Sequence, residues 1–258
     1  MAARSVRFQT PAPCSSDTGT GPLVVLLHGI ASSWVTFENV IPLIKPNHRV
    51  IALDLLGFGA SPAPDDADYT VAEHAAAIAR TIRALRIRGR FVLVGHSMGA
   101  IIASRYAATH RSQVERLVLI SPPIYLTPTE IGREPDRTAM GLYFVIYEFL
   151  RQNKEFTIRA ATQLAQISPI KNLLEVSERN WRAFALSLQR SIESQTTLSD
   201  LASVRVPVEL IYGTLDPFLA LAGIQIVEQF RQVTAHRVSG GDHVIRPRMA
   251  RVVATAIG

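Results

Sequence analysis

The segment from Phe91 to Thr109 constrains the fold of this chain more than any other part. Four apolar residues (91–94) run directly into Gly95-His-Ser-Met-Gly99, and a helix-like stretch follows. A strand that turns this sharply into a helix leaves no room for side chains at positions 95 and 99, where glycine is needed. Ser97 between them must adopt a strained conformation that lifts its hydroxyl clear of the sheet. The segment therefore predicts an accessible serine at the end of a buried strand, next to helix N-terminal amides that can bind an anion.

Strands and helices alternate along most of the sequence. The predicted strands are Ser5–Gln9, Leu23–Leu27, Val50–Leu53, Phe91–Val94, Leu117–Ile120, Val208–Tyr212 and His236–Val238. The predicted helices are Trp34–Ile44, Val71–Leu85, Met98–Thr109, Leu219–Phe230 and Pro247–Ala256. Thr70 and Glu73 form a capping-box pattern at the start of the second helix. Near-continuous apolar strands between helices indicate an α/β protein with a mostly parallel sheet covered on both faces.

The alternation stops between Pro122 and Leu201. This part contains an aromatic and aliphatic segment, Met140–Leu150, followed by three segments of helical pattern. They are Phe156–Ile167, Leu173–Trp181 and Phe184–Ile192. We therefore predict a core domain from residues 1–122 and 202–258, with a helical cap inserted at 123–201.

Composition restricts the partners and the location that we expect. The formal net charge is +6. However, the arginines are spread along the chain, and the cluster from Arg83 to Arg90 contains no aromatic residue, so a solvated surface is favoured over a nucleic-acid site. Cys14 is the only cysteine, which excludes an intramolecular disulfide and a cysteine metal cluster. The first residues lack the apolar region of a signal peptide, and no apolar run reaches transmembrane length. We expect a cytoplasmic protein without stable membrane insertion, and the sequence leaves monomer and homodimer open.

A serine hydroxyl needs a base and an orienting acid before it can act as a nucleophile. Among seven histidines, His243 alone lies in a glycine-rich loop directly after the last predicted strand, from which it can reach across the sheet edge. Asp216 lies just beyond the strand before it. The order Ser97, Asp216, His243 is the order of a hydrolytic triad on a parallel sheet. These three residues are the predicted catalytic set.

Five segments together resemble the α/β-hydrolase fold family, in its esterase and lipase-like branch. They are Leu26–Ile30, Asp54–Ser61, Gly95–Gly99, Tyr212–Pro217 and Gly240–His243. The resemblance implies an eight-stranded sheet with a helical cap after the sixth strand. It also implies an oxyanion hole made by the backbone N–H groups of Ile30 and Met98.

Further residues are assigned to the walls of the site. Trp34 follows the oxyanion loop and is predicted to line the substrate pocket. Tyr143 and Tyr147 are candidates for the same pocket, although packing within the cap explains them equally well. A structural role in shaping loops is favoured over catalysis for His28, Asp54, Gly57, Gly59 and His96.

The predicted function is hydrolysis of small-to-medium hydrophobic carboxylic esters through an acyl-enzyme, without metal or organic cofactor. Because one fold supports many reactions, three alternatives stay open: a carbon–carbon bond hydrolase acting on a diketone, a cofactor-free perhydrolase, and a non-catalytic ligand receptor. A membrane-associated lipase is a further option, resting on the aromatic segment. The nucleophile argues against dehalogenases and epoxide hydrolases, which the resemblance associates with aspartate at this position.

Overall fold

A computed structural model of the chain describes residues 14–126, 134–167 and 175–258, whose strands form one sheet. The strands are β1 (Cys14–Thr18), β2 (Leu23–Leu27), β3 (Arg49–Leu53), β4 (Phe91–His96), β5 (Val114–Ile120), β6 (Val208–Gly213) and β7 (Val233–Val238). Their spatial order is β1-β3-β2-β4-β5-β6-β7. β1 pairs antiparallel with β3, and every other pairing is parallel. The predicted mostly parallel α/β fold is confirmed; Ser5–Gln9 lies outside the described residues.

Helices cover the sheet on both faces. They are α1 (Ile41–Ile44), α2 (Val71–Ala84), α3 (Met98–Thr109), α4 (Glu134–Gln152), α5 (Lys154–Ile167), α6 (Trp181–Ser187), α7 (Thr197–Ser203), α8 (Leu221–Glu228) and α9 (Pro247–Ile257). A 3₁₀ turn spans Trp34–Phe37 and a π-helical turn spans Leu188–Glu193. The capping box at the start of α2 is confirmed, because the Glu73 amide donates to Thr70 Oγ1 and the Thr70 amide donates to Glu73 Oε2.

Alternate residues of each central strand enter two separate cores. In β2, Val25 and Leu27 pack into the layer that contains α2 and α3, whereas Val24 and Leu26 pack into the layer that contains α1 and α9. All four side chains are fully buried. A strand buried on both faces must be apolar at every position, which is why these segments could be recognised as continuous apolar runs.

The strand order creates a crevice above the middle of the sheet. After β2 the chain moves to one side to form β3, and it then returns to the other side of β2 to form β4. Loops that follow β2 and β4 therefore diverge at the carboxyl ends of two neighbouring strands. Such a switch point is where open α/β sheets bind ligands. Gly29 and Ser97 lie directly after these two strands.

In the described part of the stretch between β5 and β6, the chain forms the four helices α4 to α7. Arg182 in α6 donates to the backbone oxygens of Asp65 and Ala67, and His74 in α2 hydrogen-bonds the Ser187 hydroxyl at 3.1 Å. These bonds tie the inserted helices to the loop and helix that follow β3. The division at residues 122 and 202 stays a prediction.

Three elements differ from the sequence predictions. The predicted helix Trp34–Ile44 is wrong, because the chain forms the 3₁₀ turn and then the short α1 (Ile41–Ile44), with Pro42 in its first turn interrupting the ladder of backbone donors. The predicted helix Leu173–Trp181 is also wrong in its described part, since residues 175–180 are loop and turn. β1 was missed because Cys-Ser-Ser-Asp-Thr carries no apolar alternation; it is an edge strand.

Within the described residues, no helix combines the length and the apolar character needed to cross a lipid bilayer.

Candidate active site

Ser97 stands at the junction of β4 and α3 in a strained backbone conformation, with φ 54° and ψ −124°. Its amide donates to Ile120 O at 2.9 Å, so the strained residue is anchored to the neighbouring strand. A Cβ atom at Gly95 would lie 2.3 Å from Gly99 O, and one at Gly99 would lie 2.3 Å from Leu27 O. Both glycines are therefore required for strand, turn and helix to pack this closely.

Two backbone amides lie on the turns beside Ser97. The Ile30 and Met98 N–H groups donate no hydrogen bond to any residue that the structure describes. Met98 N is the first amide of α3, where the helix dipole adds a positive potential. Between these loops, a Cβ atom at Gly29 would lie 3.0 Å from Ser97 Cβ, so only glycine fits beside the serine. The free amides provide donors for a developing negative charge.

His243 and Asp216 form a close pair on the loops that follow β7 and β6. His243 Nδ1 lies 2.8 Å from Asp216 Oδ2 and 3.0 Å from Oδ1. Because a carboxylate only accepts, Nδ1–H is the donor and Nε2 is left free as a base. The Asp216 side chain is fully buried, whereas the His243 ring is 20% exposed. This arrangement fixes the tautomer of His243, with the proton on Nδ1 and the lone pair on Nε2.

Burial alone would raise the pKa of the Asp216 carboxyl. The hydrogen bond and the charge of His243 act against burial, and the Phe218 amide donates to Asp216 Oδ1 at 2.9 Å. The net result is a pKa below the usual range of an aspartate. Asp216 therefore stays ionised and stabilises a positive charge on His243 when that ring takes up a proton.

Close contacts join the two loops that carry this pair. A Cβ atom at Gly213 would lie 2.2 Å from Gly241 O, and the Leu215 amide donates to the same oxygen at 2.8 Å. The Gly240 amide donates to Thr214 Oγ1 at 2.9 Å. These bonds hold Asp216 and His243 in register with one another.

Ser97 and His243 line the same cavity, but no hydrogen bond joins their side chains in this structure. In unliganded enzymes the nucleophile–base contact is often longer than in the substrate complex. The geometry therefore holds a preformed acid–base pair beside a strained serine, rather than a closed three-residue chain.

Asp54 and His28 hold the loops around the free amides. Asp54 accepts the Trp34 amide at 2.8 Å and the Ala60 amide at 2.9 Å. His28 donates from Nδ1 to Gly29 O at 2.7 Å and accepts the Leu55 amide at Nε2 at 2.9 Å. Burial lowers the pKa of His28 to about 4, so its ring is neutral at pH 7. These contacts agree with the structural roles that the sequence indicated for both residues.

The cavity above Ser97 has a volume of about 440 Å³. Its floor is formed by Gly29, Ile30, His96, Ser97 and His243. The opposite wall comes from α4, α5, α6 and the π-helical turn, and it consists mainly of apolar side chains: Leu150, Ala160, Ala161, Leu164, Phe184, Leu188 and Ile192. The polar side chains that reach this space include Ser32 and Thr36, which hydrogen-bond each other at 2.8 Å. The cavity therefore suits an apolar group placed next to Ser97.

Comparison with known proteins decides the family. A family model described as alpha/beta hydrolase fold matches residues 22–166, more than half of the chain. The chain belongs to the alpha/beta hydrolase fold family. Within the described part of this alpha/beta hydrolase, no group of three or more His, Cys, Asp or Glu side chains is arranged to hold a metal ion.

Curated relatives match only part of this alpha/beta hydrolase. The Probable lysophospholipase BODYGUARD 1 of Arabidopsis thaliana is 40% identical over 110 residues, which are 41% of this chain and 24% of the plant protein. The Serine hydrolase-like protein of Danio rerio is 33% identical over 138 residues, 51% of this chain and 42% of that protein. The matches thus span less than half the length of these relatives. The esterase EaEST from Exiguobacterium antarcticum has the same fold, with a TM-score of 0.75, 20% identity and 94% coverage of both chains.

Of the predicted pocket aromatics, only Tyr147 lines the cavity of this alpha/beta hydrolase. Trp34 lies outside the cavity wall and is 36% exposed. Tyr143 also lies outside the wall, and its hydroxyl donates to Pro217 O. Tyr147 shares a hydrogen bond of 2.6 Å with the buried Tyr125 hydroxyl.

Sequence reasoning missed Phe218 and the α5 wall. The Phe218 ring meets the His243 ring edge-on at 4.9 Å, and it lines the cavity. Thr157, Ala160, Ala161 and Leu164 recur at helical spacing and face the cavity from α5. That spacing was visible in the sequence, but it could not show whether the stripe faces a cavity or a packed core.

Proposed function

We propose that this alpha/beta hydrolase cleaves carboxylic esters that carry an apolar acyl group, through an acyl-enzyme on Ser97. One observation carries the proposal: His243, bonded to the buried Asp216, lines the same apolar cavity as a strained serine. A general base held in one tautomer beside an activated hydroxyl is the arrangement that acyl transfer requires.

In the acylation step, Ser97 Oγ attacks the ester carbonyl carbon while His243 Nε2 takes the serine proton. Asp216, which stays ionised, stabilises the resulting imidazolium. The Ile30 and Met98 amides donate to the oxyanion of the tetrahedral intermediate, a contribution typically worth about 3 kcal/mol per donor. The intermediate collapses when the carbon–oxygen bond to the alcohol breaks, and His243 gives its proton to the leaving alcohol.

In the deacylation step, a water molecule takes the place of the alcohol. His243 Nε2 removes a proton from this water as it attacks the acyl carbonyl, and the same two amides again stabilise the oxyanion. Breaking the bond to Ser97 Oγ releases the carboxylic acid and returns the proton to the serine. No step needs a metal or an organic cofactor.

The lining of the cavity favours an aliphatic acyl group as the part of the substrate that binds there. Its far wall presents apolar side chains from α4, α5 and α6, and apolar burial provides the binding energy for such a group. The plant relatives are named probable lysophospholipases, and a lysophospholipid carries one acyl ester. A single-chain acyl ester is the substrate class that agrees with both observations.

Hydrolysis of 4-nitrophenyl esters of increasing acyl length tests this proposal, with the parent chain compared to Ser97→Ala. We expect a burst of nitrophenol followed by turnover, both lost in Ser97→Ala, with an optimum at medium chain length. If the parent has no Ser97-dependent activity at any chain length, ester hydrolysis is the wrong reaction for this site.

A further inference from the structure

His96 is the last residue of β4 and comes immediately before Ser97. Its side chain is buried and extends toward the loop of the proposed base rather than toward solvent. His96 Nε2 lies 2.8 Å from the backbone oxygen of His243, and the two ring centroids are 4.9 Å apart. One histidine thus joins the strand that carries the nucleophile to the residue that must deprotonate it.

The hydrogen bond to a carbonyl fixes the proton of His96. A backbone oxygen only accepts, so Nε2–H is the donor and Nδ1 carries the lone pair. Nδ1 is buried and has no hydrogen-bond partner among the described residues. A Cβ atom at Gly29 would lie 3.4 Å from this nitrogen, which places it against the loop that follows β2.

The His243 loop needs such an anchor because its own backbone is permissive. Two glycines precede the residue, and Gly240 has a φ of 71°, in the left-handed region. The bonds to Thr214 and Leu215 hold the loop at its two glycines, and Asp216 holds the ring at Nδ1. Among the described residues, none of these bonds is made by the main chain of His243 itself. The hydrogen bond from His96 to the backbone oxygen of His243 fixes the main chain of His243, and with it the position from which the ring extends.

We propose that His96 is a positioning residue that fixes the backbone of His243 and thereby keeps His243 Nε2 directed at Ser97. This inference rests on the proposed function, because His96 is assigned the role of holding the proposed base, His243. His96 also lines the cavity floor, but its Nε2 is bonded to His243 O and its Nδ1 is buried, so its role is to act through His243.

The charge state of His96 suits this role. Burial, followed by the nearby charge of His243, lowers the pKa of His96 to about 3. His96 therefore stays neutral while His243 gains and loses its proton. A second cation beside the imidazolium would oppose its formation, and the neutral ring avoids that cost.

Two variants separate the hydrogen bond from the volume of the ring. His96→Phe keeps an aromatic ring against His243 but has no donor. His96→Gln places an amide N–H at about the reach of Nε2 and keeps the donor. Both are compared with the parent and Ser97→Ala by kcat and KM on one 4-nitrophenyl ester, by melting temperature, and by the low-field NMR signal of the His243 Nδ1–H proton bonded to Asp216.

We expect His96→Phe to lower kcat on the order of 10- to 100-fold with KM changed less than about threefold, since misplacing a base by a fraction of an ångström has such effects. Its low-field proton signal should broaden or vanish. His96→Gln should restore most of kcat and the signal. Should His96→Phe fail to fold, His96→Asn, whose amide stops short of the His243 oxygen, makes the same comparison.

The inference is overturned if His96→Phe keeps kcat within about threefold and retains the proton signal, or if His96→Gln loses as much as His96→Phe with an unchanged melting temperature. A parent without Ser97-dependent turnover would instead refute the proposed function. The proton signal of His243 would still decide whether His96 positions this residue.

Discussion

Two aspartates lie close to His243 in the chain or in space, and their surroundings give them different roles. Asp216 is buried and bonds the His243 ring through both oxygens. Asp242, the residue before His243, is 36% exposed and pairs with Arg246 at 2.8 Å. Only a buried, desolvated carboxylate interacts strongly with an imidazolium, because water screens an exposed one. Asp216 is therefore the acid that sets the tautomer of His243.

Replacing each aspartate by asparagine tests this difference. Asp216→Asn offers an amide in place of a pure acceptor and favours the wrong tautomer of His243, so we expect kcat on a 4-nitrophenyl ester to fall on the order of 10³-fold or more. Asp242→Asn is the matched control and should change kcat less than about threefold. Equal losses in both variants would show that loop structure, rather than the buried charge, is what matters.

At the residue scale, the sequence predicted those candidate catalytic residues that stand in a recognisable local pattern. Ser97 stands in a glycine pattern that has one backbone solution, and Asp216 and His243 each follow a recognisable strand. The pocket residues were harder, because Phe218 and Trp34 both follow loops near the site and differ only in where tertiary packing directs the ring. Such directions depend on contacts that are distant in sequence, and no local pattern encodes them.

At the scale of elements, the turn from β4 into α3 needs two glycines, and each of them makes room for a different neighbouring segment. Gly95 packs against the first turn of α3, whereas Gly99 packs against the end of β2. The second contact brings α3 close to the loop that carries Ile30. It therefore links helix packing to the separation of the two amides that face Ser97.

Gly99→Ala should disturb both the fold and this separation. The added Cβ would lie 2.3 Å from Leu27 O and 2.4 Å from His28 O, which are backbone atoms that cannot rotate away. We expect the free energy of unfolding in urea to fall by about 3 kcal/mol. Gly141→Ala, where the Cβ meets no atom within 4 Å in α4, should leave stability unchanged or raise it by up to about 1 kcal/mol. A harmless Gly99→Ala would contradict the account of the turn.

The α5 wall of the cavity predicts which chain lengths fit. Ala160 lines the cavity, whereas Ala165 on the same helix is half-buried and does not. Ala160→Leu should lower kcat/KM for the longest accepted 4-nitrophenyl ester on the order of 10-fold and shift the optimum to shorter chains by about three carbons. Ala165→Leu should leave the profile unchanged. An unshifted profile in Ala160→Leu would place the acyl group elsewhere in the cavity.

Strands and helices with one clear hydrophobic periodicity could be predicted from the sequence. Elements that form only because a neighbouring strand pairs with them, or that end at a proline, could not. The apolar runs of β2 and β4 and the cap of α2 identified those elements closely. β1 is polar and exists because it pairs with the edge of β3. The chain after Trp34 has a helical pattern, but Pro42 lacks the amide that would continue one helix across residues 38–40, so two short pieces form. Strand pairing is a tertiary effect and interruption of a helix by proline is a steric effect, and hydrophobic periodicity reveals neither.

At the scale of the whole molecule, three of the buried histidines in the described part of the chain have strongly lowered pKa values: His28, His74 and His96. Burial lowers their pKa values to about 4, about 3 and about 3. An unfolded chain lets each ring titrate near its ordinary pKa of 6.5. Between about pH 6.5 and pH 4 the unfolded state therefore binds more protons than the folded state, and stability falls as the pH falls.

We expect the free energy of unfolding to decrease by about 1 kcal/mol per pH unit for each of these histidines over that interval. Urea unfolding at a series of pH values measures the slope. His74→Gln removes one titrating ring and should reduce the slope by about a third. Ser187→Ala removes the partner of His74 but keeps the buried ring, and it should leave the slope unchanged. A slope that His74→Gln does not alter would mean that this ring is not neutral in the folded state.

Mass spectrometry of the protein quenched in acid during turnover of a 4-nitrophenyl ester shows whether Ser97 becomes acylated. The account predicts a mass increase of one acyl group, located by peptide mapping to Ser97 and absent in Ser97→Ala. Rapid hydrolysis without any covalent adduct, or an adduct on another residue that persists in Ser97→Ala, would contradict it.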